Sequence, residues 1–152
     1  MPSVHGYPDA SFKAGTSTMA TSTTQYKAVY LSGDNEVSIV NTTTNYSNFI
    51  GIAQNYPAAK SGSIAVRMAG PSKAILGSAS ITAAATVKLL QDTSTNYGNV
   101  TTGDVKMGDT PTAGVSVLIG KCLVGSQGGT GTVVEINIDP VISSAITTTV
   151  AS

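Results

Sequence analysis

Short runs of β-favouring residues, each ended by turn residues, most limit how this 152-residue chain can fold. In residues 63–68, Ile64, Val66 and Met68 alternate with Ala65 and Arg67, a pattern typical of a half-buried strand. Runs of this kind at close spacing predict an all-β protein, a small β-barrel or β-sandwich of about eight short strands. The predicted strands are 26–31, 36–40, 49–53, 63–68, 73–76, 86–90, 115–124 and 134–138.

Residues 78–90 are the one stretch with helical character, because they contain three consecutive alanines at 83–85. The β-branched residues Ile81, Thr82, Thr86 and Val87 flank these alanines and disfavour a helix. We therefore predict a single short turn there, followed by a strand.

One strand–loop–strand unit is predicted to occur twice. Ile50-Gly51 lies eleven residues before Gly62, and Ile119-Gly120 lies eleven before Gly131. An alternating apolar strand follows each time, offset by one residue between the two copies.

The predicted organisation is an extended N-terminal arm (1–25), a β domain (26–140) and a C-terminal tail (141–152). The arm carries no periodicity and is rich in Ser and Thr, so alone it cannot offset the entropy of ordering. It is either a disordered tail or an arm that becomes ordered against a neighbouring subunit. In the second case its anchors would be Tyr7, Phe12, Met19 and Tyr26.

Charge is scarce and balanced. Eight Lys and Arg residues offset eight Asp and Glu residues, and charged residues make up 11% of the chain. Nucleic-acid binding and a membrane-surface role both need an excess of basic residues, so neither is expected. The chain instead has 18 Ser and 21 Thr. A neutral, hydroxyl-rich surface favours a protein that functions in an assembly.

No residue pattern predicts catalysis. His5 lies in the arm, where no rigid element orients it, and Cys122 lies in an apolar strand, where a free thiol packs as a small hydrophobe. The 92–96 stretch begins like a calcium loop, but Tyr97 and Gly103 occupy positions that require Gly and Glu. The glycine-rich 125–131 stretch has no P-loop lysine and reads as a hairpin connection. We therefore expect no enzyme, no cofactor and no metal.

The order of these pieces resembles a family of tailed-phage capsid decoration proteins. The resemblance rests on "GIA" at 51–53, a small-residue turn, the strand "GSIAVR" at 62–67 and the bend "GPSKA" at 70–74. It continues through "ITA" at 81–83, a polar loop ending at "GNV" (98–100), "IG" at 119–120 and the glycine-rich turn before 133–138. It covers residues 26–139. Ala84 and Ala85 depart from it, since Gly and Asp are common there in the family.

The resemblance implies a small β-barrel or β-sandwich that forms homotrimers. Such trimers bind the major capsid protein at local three-fold positions on the outer surface of the virion head, after synthesis in the bacterial cytoplasm. The β-favouring arm and tail could attach by adding a strand to an exposed sheet edge of the capsid.

Other functions stay open on the residues alone. A different virion component, such as a head-fibre base, tail-tube or baseplate subunit, fits the same uncharged surface. An adhesin or carbohydrate-binding module fits less well, because such sites need exposed aromatic platforms and the chain has no Trp.

Overall fold

The computed structural model of this chain describes residues 9–16, 19–40, 48–77, 80–89, 98–102, 114–139 and 145–148. Over these ranges the protein is all-β, as predicted, and each of the eight predicted runs contains a strand. A single turn of 3-10 helix, Ser22–Thr24, is the one helical element described. The strands are β1 (Ala10–Ala14), β2 (Ala28–Gly33), β3 (Glu36–Ile39), β4 (Phe49–Ala53), β5 (Ser63–Arg67), β6 (Gly70–Ile75), β7 (Thr86–Leu89), β8 (Val100–Thr102), β9 (Gly114–Val124), β10 (Val133–Ile138) and β11 (Ala145–Thr148).

Strands β1 to β5, which we call the first unit, form a closed barrel in the order β1-β3-β2-β4-β5. Strand β5 pairs antiparallel with β1, and β1 pairs parallel with β3, so the sheet closes on itself. The alternation in the sequence explains the interior, because Ile64 and Val66 are fully buried while Ala65 and Arg67, which alternate with them, are half-buried.

Strands β6 to β10, the second unit, form a sheet in the order β6-β10-β9-β7-β8, and β11 adds to β9. A parallel bridge between Leu76 and Val100 joins its two outer strands. The Gly77 N–H donates to the Val100 carbonyl over 2.8 Å at the same place. The second unit is therefore a barrel that closes through one bridge.

The two units have the same topology. When β1–β5 are matched in chain order to β6–β10, each strand of the first unit has the same neighbours as its counterpart in the second. The match includes the parallel pair that closes each unit. Gly15 N–H donates to the Val37 carbonyl over 2.8 Å, as Gly77 N–H does to Val100. The register of β2 on β4 shifts after Val29, and that of β7 on β9 shifts at the corresponding place.

Matched glycines identify the repeat residue by residue. A Cβ added at Gly51 would lie 2.2 Å from the Arg67 carbonyl oxygen, and one added at Gly120 would lie 1.7 Å from that of Asn137. Both positions demand glycine because the neighbouring strand's backbone occupies the space. The predicted strand–loop–strand repeat is thus confirmed, and it extends to the whole five-stranded unit. A register shift at Glu135 takes up the extra residue of the second copy.

A strained position also occurs twice. Tyr26 has φ of 67° and Ala84 has φ of 70°, just before β2 and β7 respectively. Tyr26 N–H donates to the Ala53 carbonyl and Ala84 N–H donates to the Cys122 carbonyl, over 2.7 and 2.8 Å. The predicted turn at 83–85 is this feature, and no helix forms in the described residues around it.

Each unit encloses its own apolar core. Six members of the first core each correspond to a member of the second: Ala14 to Leu76, Val29 to Val87, Val37 to Val100, Ala53 to Cys122, Ile64 to Val134 and Val66 to Ile136. The second core is larger, and it also includes residues of the first unit, Ala28, Val40 and Ile52.

The boundary predicted at residue 25 does not separate an arm from the β domain. Strand β1 lies between β3 and β5 within the barrel, and Ala14 and Met19 are fully buried. The sequence concealed this strand because its alternation, Ala10, Phe12 and Ala14, covers only five residues and contains one large apolar side chain, which is too weak a pattern to detect. Residues 1–8 lie outside the described residues.

The tail prediction also needs a partial correction. Residues 145–148 form β11 and pair antiparallel with residues 114–117 of β9 in the same chain. This part of the tail is therefore not a free strand awaiting a capsid edge. The 125–131 stretch connects β9 to β10, as predicted.

Candidate interaction surface

Polar contacts join the two units along one face of the first. The Ala28 N–H donates to the Gly98 carbonyl over 2.8 Å, and Gln54 Nε2 donates to Ser72 Oγ over 2.9 Å. The Lys73 ammonium lies 5.7 Å from the centroid of the Tyr26 ring, within the range of a cation–π contact. These contacts fix the second unit against β2 and β4 of the first.

A buried lysine lies in this junction. Lys27 is 9% exposed, and its Nζ donates to Oδ1 of Asn99, which is also buried. Burial disfavours the charged ammonium and lowers the pKa of Lys27 below its ordinary value of 10.5. Asn99 Nδ2 donates in turn to the Leu76 carbonyl over 3.4 Å. Through Asn99, the first unit thereby contacts the Leu76–Val100 bridge that closes the second unit.

Apolar packing completes the junction. Ala28, Val40 and Ile52, on the outside of the first barrel, belong to the same buried cluster as Leu89, Ile119 and Ile138 of the second. We call the first three the β2–β4 face and the second three the covered end. Because all six form one cluster, the β2–β4 face closes this end of the second barrel.

The first barrel has an equivalent end, and it is open. Leu31 pairs with Val37 as Leu89 pairs with Val100, Ile50 precedes Gly51 as Ile119 precedes Gly120, and Met68 corresponds to Ile138. Leu31 and Met68 are each 43% exposed and Ile50 is half-buried, whereas Leu89, Ile119 and Ile138 are buried. We call Leu31, Ile50 and Met68 the open end.

The second unit does not repeat the apolar β2–β4 face. Thr86 stands where Ala28 does, Lys121 where Ile52 does, and Lys88 where Tyr30 does. Thr86 and Lys88 are half-buried and Lys121 is exposed, with Lys121 Nζ 3.3 Å from Thr86 Oγ1. We call these three the β7–β9 face. Its polarity explains why it remains at the surface.

A second exposed apolar group lies beside the glycine-rich connection. Val124 ends β9 and Val133 begins β10, and they are 55% and 48% exposed. Leu123 is exposed next to them. We call these three the hairpin patch. Ser63, the counterpart of Val133 in the first unit, is polar, so the patch belongs to the second unit alone.

The four predicted anchors do not form one exposed set. Tyr7 lies outside the described residues. Phe12 on β1 packs, half-buried, against the first core, and Met19 is fully buried within it. Tyr26 packs, half-buried, against the second core at the junction. Met19 and Tyr26 therefore stabilise this chain's own fold, and the open end and hairpin patch are the surfaces that sequence reasoning missed.

Metal-ligating side chains do not cluster in the described residues. No group of three or more His, Cys, Asp or Glu side chains comes together in them. Burial raises the pKa of the Cys122 thiol, which makes the thiol a poorer nucleophile at neutral pH. His5 and the 92–97 loop lie outside the described residues. No helix in the described part of the chain is long and apolar enough to cross a membrane.

No family model matches this chain, and no curated protein is significantly similar to it. A functional assignment therefore rests on the sequence pattern, with the fold and its exposed surfaces beside it.

Proposed function

We propose that this protein is a structural virion protein that decorates the head of a tailed phage. It binds the outer surface as a homotrimer at three-fold positions between major capsid protein subunits, and it stabilises the shell. The observation that carries this proposal is the sequence pattern of residues 50–74, which resembles that of capsid decoration proteins. These residues form most of β4, all of β5 and most of β6, so they span the connection between the two units.

The surface composition supports a binding role. Charged residues make up 11% of the chain, and the exposed strand positions are largely hydroxyl-bearing or apolar. Covering such a surface has a small desolvation cost, because few ionised groups leave water. A cement protein must bind closely packed neighbours over a wide area, and this surface suits that task.

The hairpin patch is the proposed capsid contact. Val124 and Val133 are both exposed at one end of the second unit, on either side of a glycine-rich connection that carries no charge. Exposed apolar groups of this kind mark protein interaction sites. Three copies in one trimer would present three such patches, so individually weak contacts add up to stable attachment.

The test is cryo-electron microscopy and protein mass spectrometry of the phage particles whose genome encodes this chain. We expect three copies at each local three-fold position on the outside of the head. Six-membered rings within the tail would reject the head assignment in favour of a tail-tube role. Absence of the protein from purified particles would reject any virion role.

A matched pair of variants tests the proposed contact. Val124→Glu/Val133→Glu should abolish binding to heads purified without this protein, because both charges would be buried on attachment. Ala59→Glu/Ser61→Glu places the same charges on an exposed turn of the first unit and should bind normally. Equal binding by both variants would contradict the assignment of the hairpin patch.

A further inference from the structure

The internal repeat shows what kind of surface covers an open barrel end. In the second unit that end is closed by the β2–β4 face of the first unit, and Leu89 and Ile138 are buried as a result. In the first unit the equivalent Leu31 and Met68 are each 43% exposed. One chain therefore contains both an occupied and an unoccupied version of the same docking end.

We propose that a second copy of this chain covers the open end with its β7–β9 face. The contact is head-to-tail and repeats, between two chains, the junction that joins the two units within one chain. Thr86 then takes the place of Ala28, and Asn35 takes the place of Gly98. Asn35 and Gly98 precede equivalent valines by two residues and have similar φ values of 56° and 72°.

Charge complementarity favours this occupant. Lys88 and Lys121 lie on the β7–β9 face, and Asp34 and Glu36 flank Asn35 at the open end. Lys121 Nζ lies 3.3 Å from Thr86 Oγ1, and Thr86 is the residue that would meet Asn35. In the described part of the chain, neither lysine nor Glu36 forms an ion pair of its own. The contact would bring the two lysines of one chain close to the two acidic residues of the next.

Apolar contact adds to the charge pairing. The lysine side chains have long aliphatic stems, and such stems pack on apolar surfaces while their ammonium groups remain in water. Leu31 and Met68 supply that surface at the open end. The polar β7–β9 face is thus stable both in the free chain and in the contact, unlike the apolar β2–β4 face, which is permanently covered.

A head-to-tail contact closes into a ring or continues as a filament, according to the rotation between units. In the trimer of the proposed function, three chains would place six similar barrels around one ring. The contact itself does not depend on what the ring attaches to. Self-association is measured with the isolated protein and attachment with phage heads, so failure of one is distinguishable from failure of the other.

The test is analytical ultracentrifugation of the full chain and of charge-reversal variants. Glu36→Lys and Lys121→Glu should each weaken self-association about tenfold or more, because each places like charges together. The combination Glu36→Lys/Lys121→Glu should restore most of the lost association, since the charges are then exchanged. Lys60→Glu makes the same kind of change at an exposed position on the turn before β5, away from both surfaces, and should leave association unchanged.

Leu31→Ser provides a test without charge. It should weaken association while leaving the thermal unfolding of the dilute monomer within a few degrees of wild type, because Leu31 is already exposed in the single chain. A wild-type protein that remains monomeric at high concentration would overturn the proposal. So would association that none of the single variants weakens.

Discussion

The two halves of this chain have one topology but differ in what covers them. In the second unit a barrel end is sealed by the first unit, and its Leu89 is buried. In the first unit the same end presents Leu31 to solvent. Backbone features that the barrel needs are duplicated, whereas outward-facing side chains are not. The comparison separates residues that build a unit from residues that decide what the unit contacts.

The largest expected effect concerns the strand that the sequence concealed. Deleting residues 1–15 removes β1, which pairs with both β3 and β5, and should abolish the cooperative unfolding of the first unit. Deleting residues 1–8 leaves every described β1 pairing in place and should preserve it. Circular dichroism with thermal melting measures both. A folded first unit without residues 1–15 would mean that β1 is an accessory arm after all.

Next in size are the two duplicated glycines. Gly120→Ala forces a Cβ against the Asn137 backbone at a φ of 152° and should cost about 3 kcal/mol or more. Gly51→Ala meets the Arg67 carbonyl at a slightly longer distance and should cost about 2–3 kcal/mol. Gly33→Ala, whose nearest contact would be 3.6 Å away, is the control. Urea denaturation should rank the three in that order, and a midpoint for Gly51→Ala or Gly120→Ala as high as that of Gly33→Ala would contradict the requirement for glycine at that position.

A smaller effect is expected at the junction. Lys27→Met leaves the Oδ1 of buried Asn99 without its donor and should cost about 1–3 kcal/mol at neutral pH. Lys27→Met/Asn99→Leu removes both polar groups and should recover part of that loss. Lys60→Met makes the same substitution on an exposed turn and should change stability little.

The same lysine predicts a pH dependence. Because burial lowers the pKa of Lys27 in the folded state, the unfolded chain binds more protons in the interval below 10.5. The contribution of Lys27 to the free energy of unfolding should therefore increase as the pH rises through that interval. The increase should disappear when the pH is returned to neutral. Urea titrations of wild type and Lys27→Met at several alkaline pH values measure the difference in slope. Parallel pH profiles would contradict the burial of the ammonium.

The smallest effect distinguishes two residues with the same backbone conformation. Ala84→Gly should stabilise the protein by no more than about 1 kcal/mol, because it relieves a positive φ at an exposed alanine. Tyr26→Gly relieves the same strain but loses a half-buried ring and its contact with Lys73, so it should destabilise. Thermal shifts of the same sign would contradict the stabilising role of the Tyr26 ring at the junction.

The sequence predicted the parts of the fold that depend on strong local patterns. Residues 134–138 alternate so clearly that β10 was evident, and the matched Gly51 and Gly120 indicated the repeat. Strand β1 escaped detection because its alternation is short and follows a stretch without periodicity. Strand β8 is three residues long, which leaves no pattern to read.

The interaction surface could not be predicted because it depends on which end of a barrel is covered. Nothing local distinguishes Leu31 from Leu89, since each lies near the end of a short apolar run. Their different exposure arises because β2 and β4 pack on the end of the second unit and cover Leu89, whereas no part of the described chain covers Leu31 in the same way. Met19 was misassigned for a related reason, since an isolated methionine in a polar stretch gives no sign that it fills a core.

Thiol labelling of Leu31→Cys and Leu89→Cys, each in a Cys122→Ala background, tests most directly whether the two barrel ends differ as described. Leu89→Cys should be protected at every protein concentration. Leu31→Cys should react rapidly in dilute protein and become protected as the concentration rises. Equal labelling of the two cysteines in dilute protein would contradict the difference between the ends, and undiminished labelling of Leu31→Cys in the assembled protein would contradict its coverage by a second copy.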